Sequence, residues 1–258
     1  MDHVHHIASL ITEDPDVLIE TSERDRAWKA VEYAKYNIKG RWPESEEAVK
    51  EDPQASLAYA KEIVKGRWPE GENTIKQDPE TAYIYARDFV TGRWPEGEET
   101  IKYFSDYAYH YARDVIKGKW PEAEEAIGQS PEAAYQYAKD MIKGRWSEAE
   151  KTIIKWEDPT IAYHYARDVI MGRWPKAEKL IISSRDPELV YSYAINVLSS
   201  GDDSILSGRW KGEQIISRNA EFWARYQGFK KKVTSDLDVW VGDDEELWPE
   251  PVEEVTYD

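Results

Sequence analysis

A Gly-(Arg/Lys)-Trp triplet recurs along this chain at Gly40, Gly66, Gly92, Gly118, Gly144, Gly172 and Gly208, with spacings of 26, 26, 26, 26, 28 and 36 residues. A fixed period of this length is the signature of a stacked repeat architecture, in which each unit is one supersecondary element that buries its apolar face only against its neighbours. The period predicts an all-α fold: an α-solenoid of about seven 26-residue helix-turn-helix repeats with atypical terminal caps.

Within each repeat the residues before the glycine read as an amphipathic helix, helix A. Tyr stands seven positions before the glycine (Tyr33, Tyr59, Tyr85, Tyr111, Tyr137 and Tyr165) and Ala follows it (Ala34, Ala60, Ala86, Ala112, Ala138 and Ala166). Tyr193 and Ala194 hold the same places once the eight residues inserted before Gly208 are discounted. The apolar positions fall on one arc at about 100° per residue, with small Ala at its centre and Tyr on its flanks. Central Ala allows close helix approach, and the Tyr hydroxyls can reach the boundary of the core. Asp52-Pro53, Asp78-Pro79, Ser130-Pro131, Asp158-Pro159 and Asp186-Pro187 open these helices, each with a capping side chain before a Pro that has no N–H to satisfy. The glycine, at Gly92 and Gly118 as elsewhere, is expected to stop helix A in the left-handed conformation.

Trp-Pro-Glu then starts a shorter helix B, with acidic residues in its first turn where they suit the helix dipole. The indoles of Trp42, Trp68, Trp94, Trp120, Trp146, Trp174 and Trp210 are expected between the A helix of their own repeat and a neighbouring repeat. An exposed row of Arg-Trp pairs would instead offer stacking platforms for single strands or carbohydrates. Recurrence at one fixed place after the helix stop favours burial, with the Arg paired to a nearby Glu.

The repeats occupy residues 27–216. Residues 1–26 read as an N-terminal cap, 217–235 as a C-terminal capping helix, and 236–258 as an acidic tail that docks in part or stays disordered. The formal charge is −17, and its location matters. The tail holds ten acids and no base, whereas residues 27–235 hold 34 acids and 32 bases. The repeat body is therefore nearly neutral, with Lys or Arg five before and one after Gly66, Gly92, Gly118, Gly144 and Gly172 and acids four before them. Such interleaved signs blunt the field that nucleic-acid binding needs.

With no Cys in the chain, disulfides and thiolate metal sites are excluded. The Asp2-His3-Val4-His5-His6 run reads as a solvated terminus rather than a metal site, since no second shell orients it. There is no His-Glu-x-x-His, Gly-rich phosphate loop or Gly-x-Ser-x-Gly elbow, so an enzyme is not expected, nor a cofactor or metal. No apolar run spans a membrane and no signal segment opens the chain, which makes a soluble cytoplasmic protein the expectation. The position eight before the glycine varies most (Glu32, Ala58, Ile84, His110, Gln136, His164). It lies opposite the apolar arc and reads as solvated face, or as the place where a binding surface would be diversified. Candidate binding residues are thus His110, Gln136 and His164, together with Arg87, Arg113 and Arg167 of the basic ladder.

The motif Tyr-Ala-x-Asp-Val-Ile-x-Gly-Arg-Trp-Pro-Glu-Ala-Glu, nearly complete within Ala162–Glu178, resembles a short helical repeat of uncharacterised proteins from tailed bacteriophages and some bacteria. The resemblance covers about 190 residues and implies no catalytic residue. It implies a phage-encoded protein in the host bacterial cytoplasm, of a kind that binds host or defence proteins. Three functions follow as expectations: a protein-binding scaffold that inhibits or sequesters a host or defence protein, an acidic nucleic-acid mimic directed at a DNA- or RNA-binding protein, and a sponge in which the Arg ladder holds a small nucleotide.

Overall fold

The structure, a computed structural model, describes residues 22–198 and 210–241, with side chains through Val233 in the second stretch. Among the described residues every regular element is helical, and short helices alternate in the repeated order the period predicts. The N-terminal His run, residues 199–209 with the eight-residue insertion, and residues 242–258 of the tail lie outside the described residues.

The chain divides into two compact units. In the first, residues 1–152, the A helices begin at Glu23, Pro53, Pro79, Ser105 and Pro131. The B helices between them are Glu46–Val49, Glu72–Ile75, Pro95–Ile101 and Glu124–Ile127, most with a 3₁₀ turn over the preceding Trp-Pro segment. The second unit, residues 153–258, holds Pro159–Tyr165, Pro175–Ser183, Pro187–Tyr193, Glu213–Ile216 and the long helix Ala220–Val241. That last helix runs past the expected end of the cap at residue 235. The carboxylates of Asp52, Asp78, Asp158 and Asp186 and the hydroxyl of Ser130 each accept a backbone N–H from the first turn of their helix.

The core is the Tyr-Ala stripe and the Trp row. Tyr59, Tyr85, Tyr111 and Tyr137 are fully buried beside Ala60, Ala86, Ala112 and Ala138, and all seven Trp of the triplets are buried. Each indole packs on the Tyr of its own helix A, with ring centroids 4.9 Å apart for Tyr59 and Trp68 and 5.2 Å for Tyr85 and Trp94.

The helix stop corrects the sequence reading. In five repeats the left-handed residue is the one before the glycine: Lys39, Lys65, Lys117, Lys143 and Met171, with φ between 53° and 59°. There helix A ends in a five-residue π-helical turn, and the Ala carbonyl that begins the turn accepts both the left-handed residue's N–H and the glycine's, as Ala112 does from Lys117 and Gly118. Gly118 itself has open space around its Cα and no positive φ. Among the described residues, Gly92 is the one glycine that takes the strain, at φ 91°. The reason lies one residue earlier. Thr91 is β-branched and does not adopt the left-handed region cheaply, whereas the straight chains of Lys and Met tolerate it. The turn is therefore re-formed around Gly92, and helix A here is α-helical throughout, Pro79–Phe89. Gly92→Ala is expected to lose about 1 kcal/mol or more, and Gly118→Ala to stay within about 0.5 kcal/mol of the parent, by urea titration. Equal losses at both positions would refute this account of the turn.

Candidate functional site

The most regular chemistry in the structure sits at the junctions between repeats. At the first, Arg41 forks onto Glu46, with Nε to Oε1 and Nη2 to Oε2 both 3.0 Å. The hydroxyl of Tyr59, from the next repeat, accepts the Trp42 backbone N–H at 2.8 Å and donates to Glu46 Oε1 at 3.0 Å. The same four residues recur as Arg67, Trp68, Glu72 and Tyr85, and as Arg93, Trp94, Glu98 and Tyr111. Tyr137 makes both bonds to Trp120 and Glu124 where Lys119 replaces the Arg. In the second unit Arg173 forks onto Glu178 while Tyr193 accepts from Trp174, and at the last junction Tyr226 and Lys230 both donate to Glu213. The motif residues Arg, Trp, Glu and Tyr are thus a latch that fastens one repeat to the next.

The latch holds its protons in a defined state. Burial pushes the Tyr59 phenol up to about 12, with the nearby Glu46 carboxylate adding to it. Burial pushes the phenols of Tyr85, Tyr111 and Tyr137 further in the same direction. Burial alone would raise Glu98, but the Arg93 fork and the Tyr111 hydroxyl overcome it and hold that carboxyl below its usual range. A phenol bound more tightly to its proton in the folded state stabilises the fold fully below pH ~10 and loses that contribution as pH rises towards 12 and beyond. Base titration is expected to show delayed tyrosinate absorbance that appears together with loss of helical circular dichroism. Smooth ionisation near pH ~10 with the helix intact would contradict the latch.

A second ladder follows the A helices. Arg87, Arg113 and Arg167 each fork onto the Asp that follows (Asp88, Asp114 and Asp168) and lie over the ring of the Tyr four residues earlier, at 5.2, 5.4 and 5.2 Å from the centroid. Tyr83 and Tyr109 donate to Asp114 and Asp140 of the next repeat. These three arginines, expected as ligand contacts, are therefore already engaged by carboxylates within their own helices.

The variable position is solvated at Glu32, as the helix wheel predicts, but half-buried at Ala58, Ile84, His110, Gln136 and His164. His110 is half-buried, with its ring stacked on Tyr83 of the preceding repeat at 5.9 Å and against Tyr109 at 5.0 Å. Residues on the far side of one helix from its own core are covered by the neighbouring repeat. A pocket of about 430 Å³ opens here, with Asp106, Tyr109, His110 and Arg113 of the fourth A helix on one side and Glu132 and Gln136 of the fifth on the other. The structure thus brings together three of the six candidate residues, His110, Arg113 and Gln136. Arg87 and its Asp88 belong to the third A helix. His164 is half-buried beside Tyr163 in the second unit, with Arg167 on the same helix. His110 Nδ1 is buried with no hydrogen-bond partner among the described residues, and burial, then the nearby Arg113 charge, pulls its pKa below the ordinary imidazole value. Asp106 and Glu132 were not anticipated as site residues, although both stand twelve before their glycine, four before His110 and Gln136.

Among the described residues no three or more His, Cys, Asp or Glu side chains are grouped to hold a metal ion, and no helix is long and apolar enough to cross a membrane. No family model, curated protein or solved structure matches this chain.

Proposed function

We propose that the chain is a protein-binding repeat scaffold, phage-encoded, that holds a host or defence protein and so inhibits or sequesters it. One observation carries the reading. The residues that recur from repeat to repeat are taken up by bonds inside and between repeats, while the residues that differ (Ala58, Ile84, His110 and Gln136) lie half-buried along the A helices, and a pocket opens at His110 and Gln136. Fixed latches with one varied surface position are how a repeat array presents different chemistry on a constant frame. The phage and host context comes from the resemblance of the repeat motif.

The arginine forks weigh against a nucleotide sponge, because a phosphate would have to displace a bidentate carboxylate at each Arg. The acidic tail keeps a mimic reading testable. Affinity capture from bacterial lysate with the full chain, with an Ile84→Ala, Gln136→Ala variant and with residues 236–258 deleted separates them. A stoichiometric protein lost on the A-helix substitutions and retained without the tail supports the scaffold. A partner that depends on the tail and is displaced by duplex DNA transfers the assignment to mimicry, and capture of no protein overturns both.

A further inference from the structure

We propose that residues 242–258 lie along the B-helix face of the sixth and seventh repeats and screen a row of basic side chains there. The inference concerns this chain alone and is independent of the scaffold reading.

The signs on the B-helix face invert part-way along the chain. Two residues before the latch carboxylate stand Glu44, Glu70, Glu96, Glu122 and Glu148, then Lys176 and Lys211. The residue before the cap of the following A helix is Glu51, Gln77, Tyr103, Gln129 and Glu157, then Arg185 and Arg218. Arg185 precedes Asp186, and Arg218 precedes Asn219, whose side chain accepts the Glu221 and Phe222 N–H groups in the same capping role. Lys176 and Arg185 of the sixth repeat thus recur as Lys211 and Arg218 of the seventh, and Lys179 adds a fifth base. The two repeats are direct neighbours, since the Trp210 indole donates to Glu178 Oε1 at 3.1 Å.

All five bases are exposed, and among the described residues none of them forms an ion pair. The acids beside them are engaged elsewhere. Glu178 is held by the Arg173 fork, Glu213 by Tyr226 and Lys230, and Asp186 by the N–H groups of Glu188 and Leu189. Glu188 stands in the first turn of its A helix, where the helix dipole answers it. Solubility gives no reason to gather bases of one sign here, because the chain already carries a charge of −17.

The same unit supplies the counter-charge. Residues 242–258 hold eight acids and no base, and they belong with the basic face to the unit 153–258. They follow directly on the helix Ala220–Val241, which has 22 residues and so a length of about 33 Å. Residues 242–258, extended, reach about 55 Å, enough to turn back along that whole helix to Arg218. Tethering keeps their effective concentration high, so ionic contacts that are weak one by one suffice, and salt weakens them. A covered face keeps the chain from collecting phosphate polymers, which an open row of bases attracts.

The test uses the full chain. A zero-length carbodiimide joins a lysine to a carboxylate only where the two touch, and mass spectrometry locates the new amides. The expected result is coupling of Lys176, Lys179 and Lys211 to acids of 242–258, at least about tenfold above that of the exposed Lys39, Lys65, Lys117 and Lys143, and lost at high salt. Arg185→Gln with Arg218→Gln should lower this coupling about tenfold, because the arginines attract the segment without reacting themselves. Both arginines are exposed, so the double variant should keep the parent's thermal midpoint. A second arm reads the screening. Asp243→Asn, Asp244→Asn, Glu245→Gln and Glu246→Gln together should make the chain bind a short duplex DNA at least about tenfold tighter, and the two arginine substitutions should remove that gain. Coupling spread evenly over all these lysines, coupling indifferent to the arginine substitutions, or no gain in DNA affinity overturns the proposal. Mixing isotope-labelled with unlabelled chains shows which chains the amides join; amides between two chains assign the face to a second copy and overturn the proposal equally.

Discussion

Trp94→Ala is expected to cost about 3–5 kcal/mol of stability, the range for deleting a large aromatic from a closed core. The indole is 1% exposed and packs on Tyr85 of its own helix A at 5.2 Å between centroids. Nothing near it can fill the space. Gly97 lies directly beneath the ring, where an added Cβ would come within 2.3 Å of Trp94 Cε3, so backbone already forms the floor of the site. Collapse would require helix Pro95–Ile101 to move as a whole. The indole N–H is buried without a hydrogen-bond partner among the described residues, which makes Trp94→Phe an informative companion. Phe surrenders contact area but removes an unsatisfied donor, so its cost should fall to about 1–2 kcal/mol. Because each repeat is held only by its neighbours, the loss at Trp94 should also broaden the urea transition as the flanking repeats uncouple. A loss below about 1 kcal/mol for the Ala variant would mean that the ring is not core, and the stacking-platform reading of the Arg-Trp row would return.

The architecture was legible in the sequence because stacking repeats everything it uses. The 26-residue period, the Asp-Pro and Ser-Pro caps and the Tyr-Ala stripe each mark an element directly. What escaped is what crosses from one repeat to the next. Glu46, Glu72, Glu98, Glu124, Glu150 and Glu178 stand six after the first six glycines (Glu213 stands five after Gly208), while the acid two residues earlier gives way to Lys176. That contrast separates the latch carboxylate from the surface charge, yet its partner, the Tyr thirteen residues on, belongs to another helix. His110 was misplaced for the same reason: a helical wheel knows one helix, and the Tyr83 ring that covers this position comes from the repeat before. The stop at Gly118 failed differently. Glycine is the usual left-handed residue, but the π turn sets that conformation one position earlier, on Lys117. In the third repeat the β-branched Thr91 moves it back onto a glycine.

Tyr111→Phe should be the most costly removal of a single oxygen atom from the first unit, at about 2–3 kcal/mol. The hydroxyl closes two bonds at once, accepting the Trp94 N–H at 2.8 Å and donating to Glu98 Oε1 at 2.7 Å. Phe keeps the ring and its packing against Trp120, so the measured loss isolates the hydrogen bonds. It leaves a buried backbone donor with no acceptor and a buried carboxylate with only its Arg93 fork. Orphaned buried groups carry their full desolvation penalty, which exceeds the net worth of an ordinary hydrogen bond. Glu98 should respond in its titration: without the phenol its carboxyl moves up from its depressed position, so the variant loses further stability at a higher pH than the parent as acid is added. Tyr109→Phe is the control, since its hydroxyl joins Asp140 at the edge of the ladder, where water can replace it, and it should cost less. The decisive comparison is Tyr111→Phe in a background carrying Glu98→Gln. A coupling energy of about 1 kcal/mol or more places both residues in one latch, and strict additivity would show that the junction is held by packing alone.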